Sequence, residues 1–154
     1  MQQQDSEVNV SSLKERAKVK LSRDMGTLLV AALNDPKTVE IMVNADGRVW
    51  QEKLGQPMAS IGNLRPAQAE AIIKTVAGFH SKEVTKSKPI IEGEFPLDGS
   101  RFAGQLPPIV TSPTFAIRKK AVAIFTLEEY LSQNLLNEKQ YAKLKSAIEN
   151  HRNI

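Results

Sequence analysis

The chain has 154 residues, of which 41% are hydrophobic and 25% charged, and its formal net charge is +4. This composition is typical of one compact globular domain and excludes a disordered or fibrous chain. The absence of cysteine excludes disulfides and thiolate metal sites, while the small positive charge permits contact with phosphates without predicting nucleic-acid binding.

The first predicted element is a helix that follows a polar start. Residues 1–11 have neither the basic nor the apolar region of a secretory signal, and we expect them to be disordered. No apolar run in the chain approaches the roughly 18 residues of a membrane span. An amphipathic helix is predicted from about 12 to 33, because Ser12 and Glu15 form a capping box and apolar residues then recur every three to four positions. Pro36 ends this helix because proline has no amide hydrogen to donate.

A β-hairpin is predicted next, over 38–53. Two runs of strand-forming residues flank Asp46-Gly47, a dipeptide that supplies the positive φ of a tight hairpin turn. The remaining elements are predicted in chain order: a short strand near 58–61, a helix capped by Asn63 with Pro66 in its first turn and ending near His80, strands over 89–95, 100–106 and 114–122, a helix from a capping box at Thr126 to about Leu136, and a helix capped by Asn137 and ending near Asn150.

The order of these elements predicts an α+β fold. Because tight turns join neighbouring strands, the sheet should be mainly antiparallel and packed with helices, and it should contain the hairpins over 38–53 and 89–106. We expect 12–125 to form this domain. The two helices of 126–154 are expected to form a helical linker.

The motifs present do not assemble a catalytic site. His80 and His151 lie at predicted helix ends, and neither has a second metal ligand at helical spacing, so we predict no metal site. Gly99 and Gly104 have the separation of the two glycines in a phosphate loop, but Gln105 stands where that loop requires lysine. We therefore predict no catalytic residues and no enzymatic activity for this chain alone.

Two arginines are the remaining candidates for a binding site. Alternation along the predicted strands places Arg101 and Arg118 on the face opposite the aromatic residues. If the aromatic side chains face the core, both guanidiniums face outward and could grip a phosphate from one side. From spacing alone, two solvated arginines paired with Glu92 or Glu94 are the more common arrangement, and both interpretations stay open.

Three segments carry a family resemblance. They are Glu40–Trp50 (EIMVNADGRVW), Asp98–Pro108, which begins DGSRF and ends LPP, and Pro113–Lys119 (PTFAIRK). In this order and spacing they closely resemble the P-type conjugative transfer ATPases of the TrbB family, which belong to the hexameric traffic ATPases of type IV secretion. The resemblance covers nearly the whole chain from about residue 12 onward.

The resemblance implies that the chain is the N-terminal, non-catalytic domain of such an ATPase, ending before the phosphate loop of a RecA-like motor domain. ATP and magnesium would bind in the full-length protein, between the two domains, and we expect neither to be held tightly by this chain. Arginines matching Arg101 and Arg118 are expected to reach the nucleotide phosphates. The partners implied are the motor domain, neighbouring subunits of a homohexamer, and secretion channel proteins at the inner membrane, with the protein in the cytoplasm and peripheral to that membrane.

Two functions of other classes stay open beside this one. The first is a freestanding PAS-like α+β domain for interaction or sensing, with no nucleotide role. The second is weak nucleic-acid binding through Lys119 and Lys120, which read as a solvated basic patch, although we predict no strong direct binding to nucleic acid.

Overall fold

The structure is a computed structural model and describes residues 2–120 and 125–153. The chain divides into two compact units, 1–122 and 123–154. Unit 1 contains α1 (Gln2–Asn34), β1 (Thr38–Val43), β2 (Arg48–Lys53), β3 (Ala59–Asn63), α2 (Pro66–Phe79), β4 (Ile90–Glu94), β5 (Arg101–Gln105) and β6 (Thr114–Arg118). Unit 2 contains α3 (Leu127–Ser132) and α4 (Glu138–Glu149). No helix in the described part of the chain is long and apolar enough to cross a membrane.

The six strands form one antiparallel sheet in the order β3-β2-β1-β6-β5-β4. This confirms the predicted α+β class and both predicted hairpins, β1–β2 and β4–β5. At the turn of the first hairpin Gly47 has φ 81°, and the Asp46 carboxylate accepts a hydrogen bond from the amide of Arg48 at 2.9 Å. A side chain at Gly47 would place its Cβ 2.8 Å from the carbonyl oxygen of Leu64, so the turn requires glycine for space as well as for conformation.

Helices α1 and α2 cover one face of the sheet and form the core with it. The buried apolar residues of the helices are Leu21, Met25, Leu29, Ala32 and Leu33 of α1 and Ala69, Ile72, Ile73, Val76 and Ala77 of α2. They pack against inward-facing strand residues, which include Ile41, Val43, Val49, Ile91, Phe102, Phe115 and Ile117. The opposite face of the sheet carries exposed or half-buried side chains. This division follows from the strand period of two, which sends alternate residues to opposite faces.

The first helix starts earlier than predicted and ends at Asn34, close to its predicted end. It begins at Gln2 and not near 12, so residues 2–11 are helical where we expected disorder, and Ser12 lies inside the helix and not at its cap. No proline or glycine interrupts residues 2–11, so their helix propensity is adequate. The prediction of disorder relied on their polar composition and underestimated that propensity.

Helix α1 is also broken at Gly26, where a single uninterrupted helix was predicted. Gly26 has φ 68° and ψ 177°, a conformation that is essentially restricted to glycine. The break leaves backbone carbonyls without helical partners, and the Gln68 side-chain amide of α2 donates to the carbonyl of Asp24 at 2.7 Å. The sequence pattern does not reveal this break, because Leu21, Met25 and Leu29 keep the spacing of one continuous buried helix face on both sides of Gly26.

Three other boundaries differ from prediction. Asn63 belongs to β3, and α2 is preceded by Arg65, which makes no side-chain cap, with Pro66 as the first helical residue. Strand β6 ends at Arg118, whereas 114–122 was predicted, and 121–124 lie outside the described residues. Helix α3 ends at Ser132, four residues before its predicted end at Leu136.

Unit 2 has the capping box predicted at Thr126, and Asn137 caps α4 as predicted and forms a capping box with Gln140 that was not predicted. The Thr126 hydroxyl accepts from the Glu129 amide at 3.1 Å, and the Asn137 side chain accepts from the Gln140 amide at 2.9 Å. The Tyr141 hydroxyl donates to Glu128 at 2.6 Å and so ties α4 to α3. No residue of either helix is buried among those described, and the role of 126–154 as a linker stays a prediction.

Candidate functional site

The exposed face of the sheet brings the two predicted arginines together. Arg101 of β5 and Arg118 of β6 are directly opposed Cα partners, so their side chains leave the same face of adjacent strands. Both are exposed, while Phe102 and Ile117, their neighbours in sequence, are buried on the other face. The structure therefore places both arginines as the alternation predicted. Whether they bind a phosphate stays a prediction.

The strand register extends this pair into a row of charges across the sheet. Glu94 of β4 opposes Arg101, Arg118 opposes Glu40 of β1, and Glu40 opposes Glu52 of β2. We call these five residues the charged row. Directly opposed side chains have Cβ atoms about 4.5–5.5 Å apart, so each arginine can reach the other and one glutamate by a change of rotamer. Within the described residues, no member of the row forms an ion pair within 4.0 Å.

A broad cleft of about 1040 Å³ lies over this face of the sheet. Its charged lining residues are Glu40, Glu92, Glu94, Arg101, Arg118, Lys119 and Lys120. Ala103 and Ala116 form part of its floor, and their small side chains leave the arginines standing above the sheet. The cleft is large enough for a phosphate group and is open to solvent on one side.

The turn before β5 determines where Arg101 leaves the sheet. Gly99 has φ 71°, and its amide donates to the carbonyl of Phe95 at 2.9 Å. Asp98 holds the turn from within, because its carboxylate accepts from the Ser100 amide at 3.0 Å and from the Ser100 hydroxyl at 2.7 Å. An aspartate side chain that bonds to the backbone two residues ahead is the usual way to fix such a turn.

Lys119 fastens this turn to the rest of the domain. Its ammonium donates to the Asp98 carboxylate at 3.0 Å and to the carbonyl of Leu33 at 2.8 Å, and its side chain is 20% exposed. Leu33 lies in the last turn of α1, where carbonyls lack helical partners and a cation is favourable, and that turn contains no basic residue of its own. Lys119 is therefore a structural clamp, and its assignment to a solvated basic patch with Lys120 was wrong.

The electrostatics of Asp98 reflect this clamp. Partial burial favours the neutral carboxyl group, but hydrogen bonds from Ser100 and Lys119 and the charge of Lys119 outweigh it, so the pKa of Asp98 is lowered. The carboxylate is thus charged at neutral pH. Its charge pairs with that of Lys119, which lines the edge of the cleft.

The histidines do not form a site. His80 caps the end of α2, and its Nε2 donates to the backbone carbonyl of Glu94 at 2.6 Å. His151 follows α4 in unit 2. No group of three or more His, Cys, Asp or Glu side chains suited to a metal ion occurs among the described residues.

Comparison with solved structures defines the class of fold. The chain is similar to the VirB11 ATPase from the Brucella suis type IV secretion system, solved in complex with sulphate, with a TM-score of 0.65 and 23% identity. The similarity covers 81% of this chain and 38% of that protein. At this identity the likeness shows the fold alone: an α+β domain of the kind present in a type IV secretion ATPase.

Comparison of sequences is more specific. No protein-family model matches the chain. Over 135 residues it is 42% identical to the conjugal transfer protein TrbB of Rhizobium radiobacter and to a probable TrbB of Sinorhizobium fredii, a match that covers 88% of this chain. The predicted resemblance to TrbB is confirmed. The chain spans 42% of the length of these two relatives.

Sequence reasoning missed two features of the site. The opposition of Arg118 and Glu40 joins residues far apart in the chain, and only the strand order β1–β6 reveals it. The bond from Lys119 to Leu33 depends on where α1 ends relative to the sheet. The opposition of Arg101 and Glu94 was within reach, because both belong to one predicted hairpin whose turn defines its register.

Proposed function

We propose that the chain is the N-terminal domain of a hexameric ATPase that powers conjugative DNA transfer through a type IV secretion system. The observation that carries this proposal is the opposed pair Arg101 and Arg118 on the exposed face of the sheet, inside a cleft. The similarity to TrbB proteins and the fold shared with a type IV secretion ATPase support it. The protein would act in the cytoplasm at the inner membrane, beside neighbouring subunits and channel proteins.

The two arginines would contact the phosphates of an ATP molecule held mainly by a motor domain. Each guanidinium presents a planar fork of donors that matches phosphate oxygens, and it stays charged at any physiological pH. Cleavage of the terminal phosphate spreads negative charge over its equatorial oxygens, where a positioned arginine lowers the barrier. Contact from a second domain also couples domain closure to the nucleotide state. The side chains described offer neither a phosphate loop nor a metal cluster, so magnesium and the attacking water belong to the motor domain in this proposal.

This chain alone is then expected to hydrolyse no ATP above background. Its affinity for nucleotide should be weak or undetectable, because two exposed arginine contacts contribute at best about 1.5–3 kcal/mol each. Association costs at least about 4 kcal/mol in lost translational and rotational freedom, which offsets much of that gain. Phosphate release with magnesium and titration calorimetry measure both properties. Turnover that survives purification, or micromolar binding of ATP, would show that the site lies elsewhere.

The decisive test changes each arginine in the full-length protein. Arg101→Ala and Arg118→Ala should keep the fold, because a solvated strand residue usually contributes less than about 0.5 kcal/mol to stability. ATP turnover should fall by roughly tenfold to a thousandfold if the guanidinium meets charge in the transition state. Lysine at either position should restore activity only in part, because it keeps the charge and loses the fork.

Lys120→Ala is the matched control, since Lys120 is an exposed cation that lines the same cleft. It should change turnover little. If Arg118→Ala unfolds the domain, the arginine is structural. If both alanine variants fold and hydrolyse ATP at the normal rate, the arginines do not serve the nucleotide.

A freestanding PAS-like sensor is less well supported. A ligand bound between the sheet and its helices would need room that the stacked rings of Phe95, Phe102 and Phe115 occupy, with centroids 5.6 Å apart in each stack. Reading the gene beyond the codon of Ile154 distinguishes the sensor domain from the ATPase domain. A Gly-rich segment ending in Gly-Lys-Ser or Gly-Lys-Thr, within about ten residues after Ile154, would identify the motor domain by its phosphate loop.

A further inference from the structure

The charged row is not a basic patch. It contains two arginines and three glutamates, and its sequence of charges across the strands is negative, positive, positive, negative, negative. The opposed arginines repel each other, and so do the opposed Glu40 and Glu52. A surface built only to attract phosphate would not place a carboxylate on the outer side of each arginine.

Each flanking glutamate has one defined arginine. Glu94 opposes Arg101 on one side of the pair, and Glu40 opposes Arg118 on the other. Both glutamates line the cleft with the arginines, and no ion pair within 4.0 Å joins any of these four side chains among the described residues. Each guanidinium therefore lies opposite one carboxylate of the same sheet and borders the open cleft, where a phosphate oxygen would compete with that carboxylate.

We propose that Glu40 and Glu94 restrain the arginine pair by competing with phosphate for it. Each carboxylate lowers the affinity of its opposed guanidinium for a phosphate oxygen, so that the pair engages only a phosphate presented at high local concentration by another protein surface. This inference rests on the proposed function, because it assigns a specificity role at the same site. It makes the two glutamates the elements that prevent free polyphosphates from occupying the arginines.

The sheet supplies a matched control for this idea. Glu92 lies two residues before Glu94 on the same strand and the same face, and it lines the same cleft, but it opposes Ala103. Changing Glu92 to glutamine removes an equal charge from the surface and leaves both opposed arginine–glutamate pairs intact. A general change of potential affects all three positions alike, whereas direct competition affects only Glu40 and Glu94.

The experiment titrates this chain with inorganic tripolyphosphate at low salt. Binding is followed through the side-chain Nε–Hε signals of Arg101 and Arg118 in NMR spectra, which report affinities in the millimolar range. Glu40→Gln and Glu94→Gln should each tighten binding by about two- to fivefold, in line with the interaction of an exposed ion pair. The double variant should gain about four- to twentyfold, Glu92→Gln much less, and the gain should shrink at high salt.

The outcomes separate this inference from the proposed function. Equal affinities for the Glu92, Glu40 and Glu94 variants would overturn the competition while leaving the arginines as phosphate ligands. No measurable binding by the double glutamine variant would also overturn it, and the turnover of the full-length arginine variants would still judge the proposed function. Tripolyphosphate binding that survives Arg101→Ala with Arg118→Ala would overturn the competition, because the anion then binds elsewhere, and the turnover of the full-length arginine variants would still test the proposed function.

Discussion

Replacing Lys119 with methionine tests the clamp that holds the arginine-bearing turn. Methionine keeps an apolar side chain of similar length and removes the two hydrogen bonds of the ammonium, at 2.8 Å to Leu33 and 3.0 Å to Asp98. Hydrogen bonds to charged groups contribute about 1.5–3 kcal/mol when buried, but the lysine and aspartate side chains are 20% and 24% exposed. Because solvent screens both groups, we discount the sum for the two bonds and expect the free energy of unfolding to fall by about 1.5–3 kcal/mol in total. For a domain of this size that lowers Tm by about 5–10 °C.

Urea unfolding measures this loss, with the fluorescence of the single tryptophan, Trp50, as the probe. Lys120→Met is the control, because Lys120 is the adjacent lysine and is exposed. It should change the unfolding free energy by less than about 0.5 kcal/mol. A Lys119→Met variant as stable as the parent, or an equal loss at Lys120, would refute the assignment of Lys119 as a clamp.

Two further predictions concern stability. The pKa of Asp98 is lowered in the folded state, so its ionised carboxylate stabilises the fold. This stability is present at pH values above 3.8, the ordinary pKa of the group, and is lost as the pH falls from 3.8 toward the lower folded-state pKa. Asp98→Asn should remove this part of the acid dependence, and thermal unfolding between pH 3 and 7 measures it; an unchanged profile would contradict the prediction. Gly26→Ala should cost about 1–3 kcal/mol, because φ 68° with ψ 177° is strained for any side chain. Gly78→Ala, in α2 with open space around its Cβ position, should instead be neutral or stabilising, and a Gly26 variant that behaves the same way would rule out the kink.

The sequence was most informative where one face of a strand is buried. In β5 and β6, alternation placed Phe102, Phe115 and Ile117 inward and the arginines outward, because a shift of one residue would exchange the two faces. The Asp46-Gly47 turn likewise defined the first hairpin, because few dipeptides adopt its backbone conformation. A local sequence pattern predicts the structure correctly when a single requirement, such as burial of one strand face or a positive φ, excludes the other conformations.

The failures arise where the deciding interaction is distant in sequence. The break at Gly26 leaves the spacing of buried residues unchanged, and it is stabilised by Gln68 of the second helix. A chain of buried polar groups has the same character: Gln51 donates to the Thr38 hydroxyl at 2.7 Å, and Thr38 donates to the carbonyl of Ala32 at 2.7 Å. These bonds close the end of α1 against the sheet, and they cannot be read from either segment alone.

The charge balance of the site bears on how such a domain would work. Arg101, Arg118 and Lys120 share the cleft with the carboxylates of Glu40, Glu92 and Glu94, and Lys119 is paired with Asp98. The net attraction for a free anion is therefore small, and under the proposed function most of the affinity for nucleotide would come from another surface. The chain spans 42% of the length of its TrbB relatives. Under the proposed function, the arginines then contribute mainly to the rate of phosphate cleavage and little to the binding of ATP. Their removal should lower kcat more than it raises KM, because interactions formed chiefly in the transition state act on kcat.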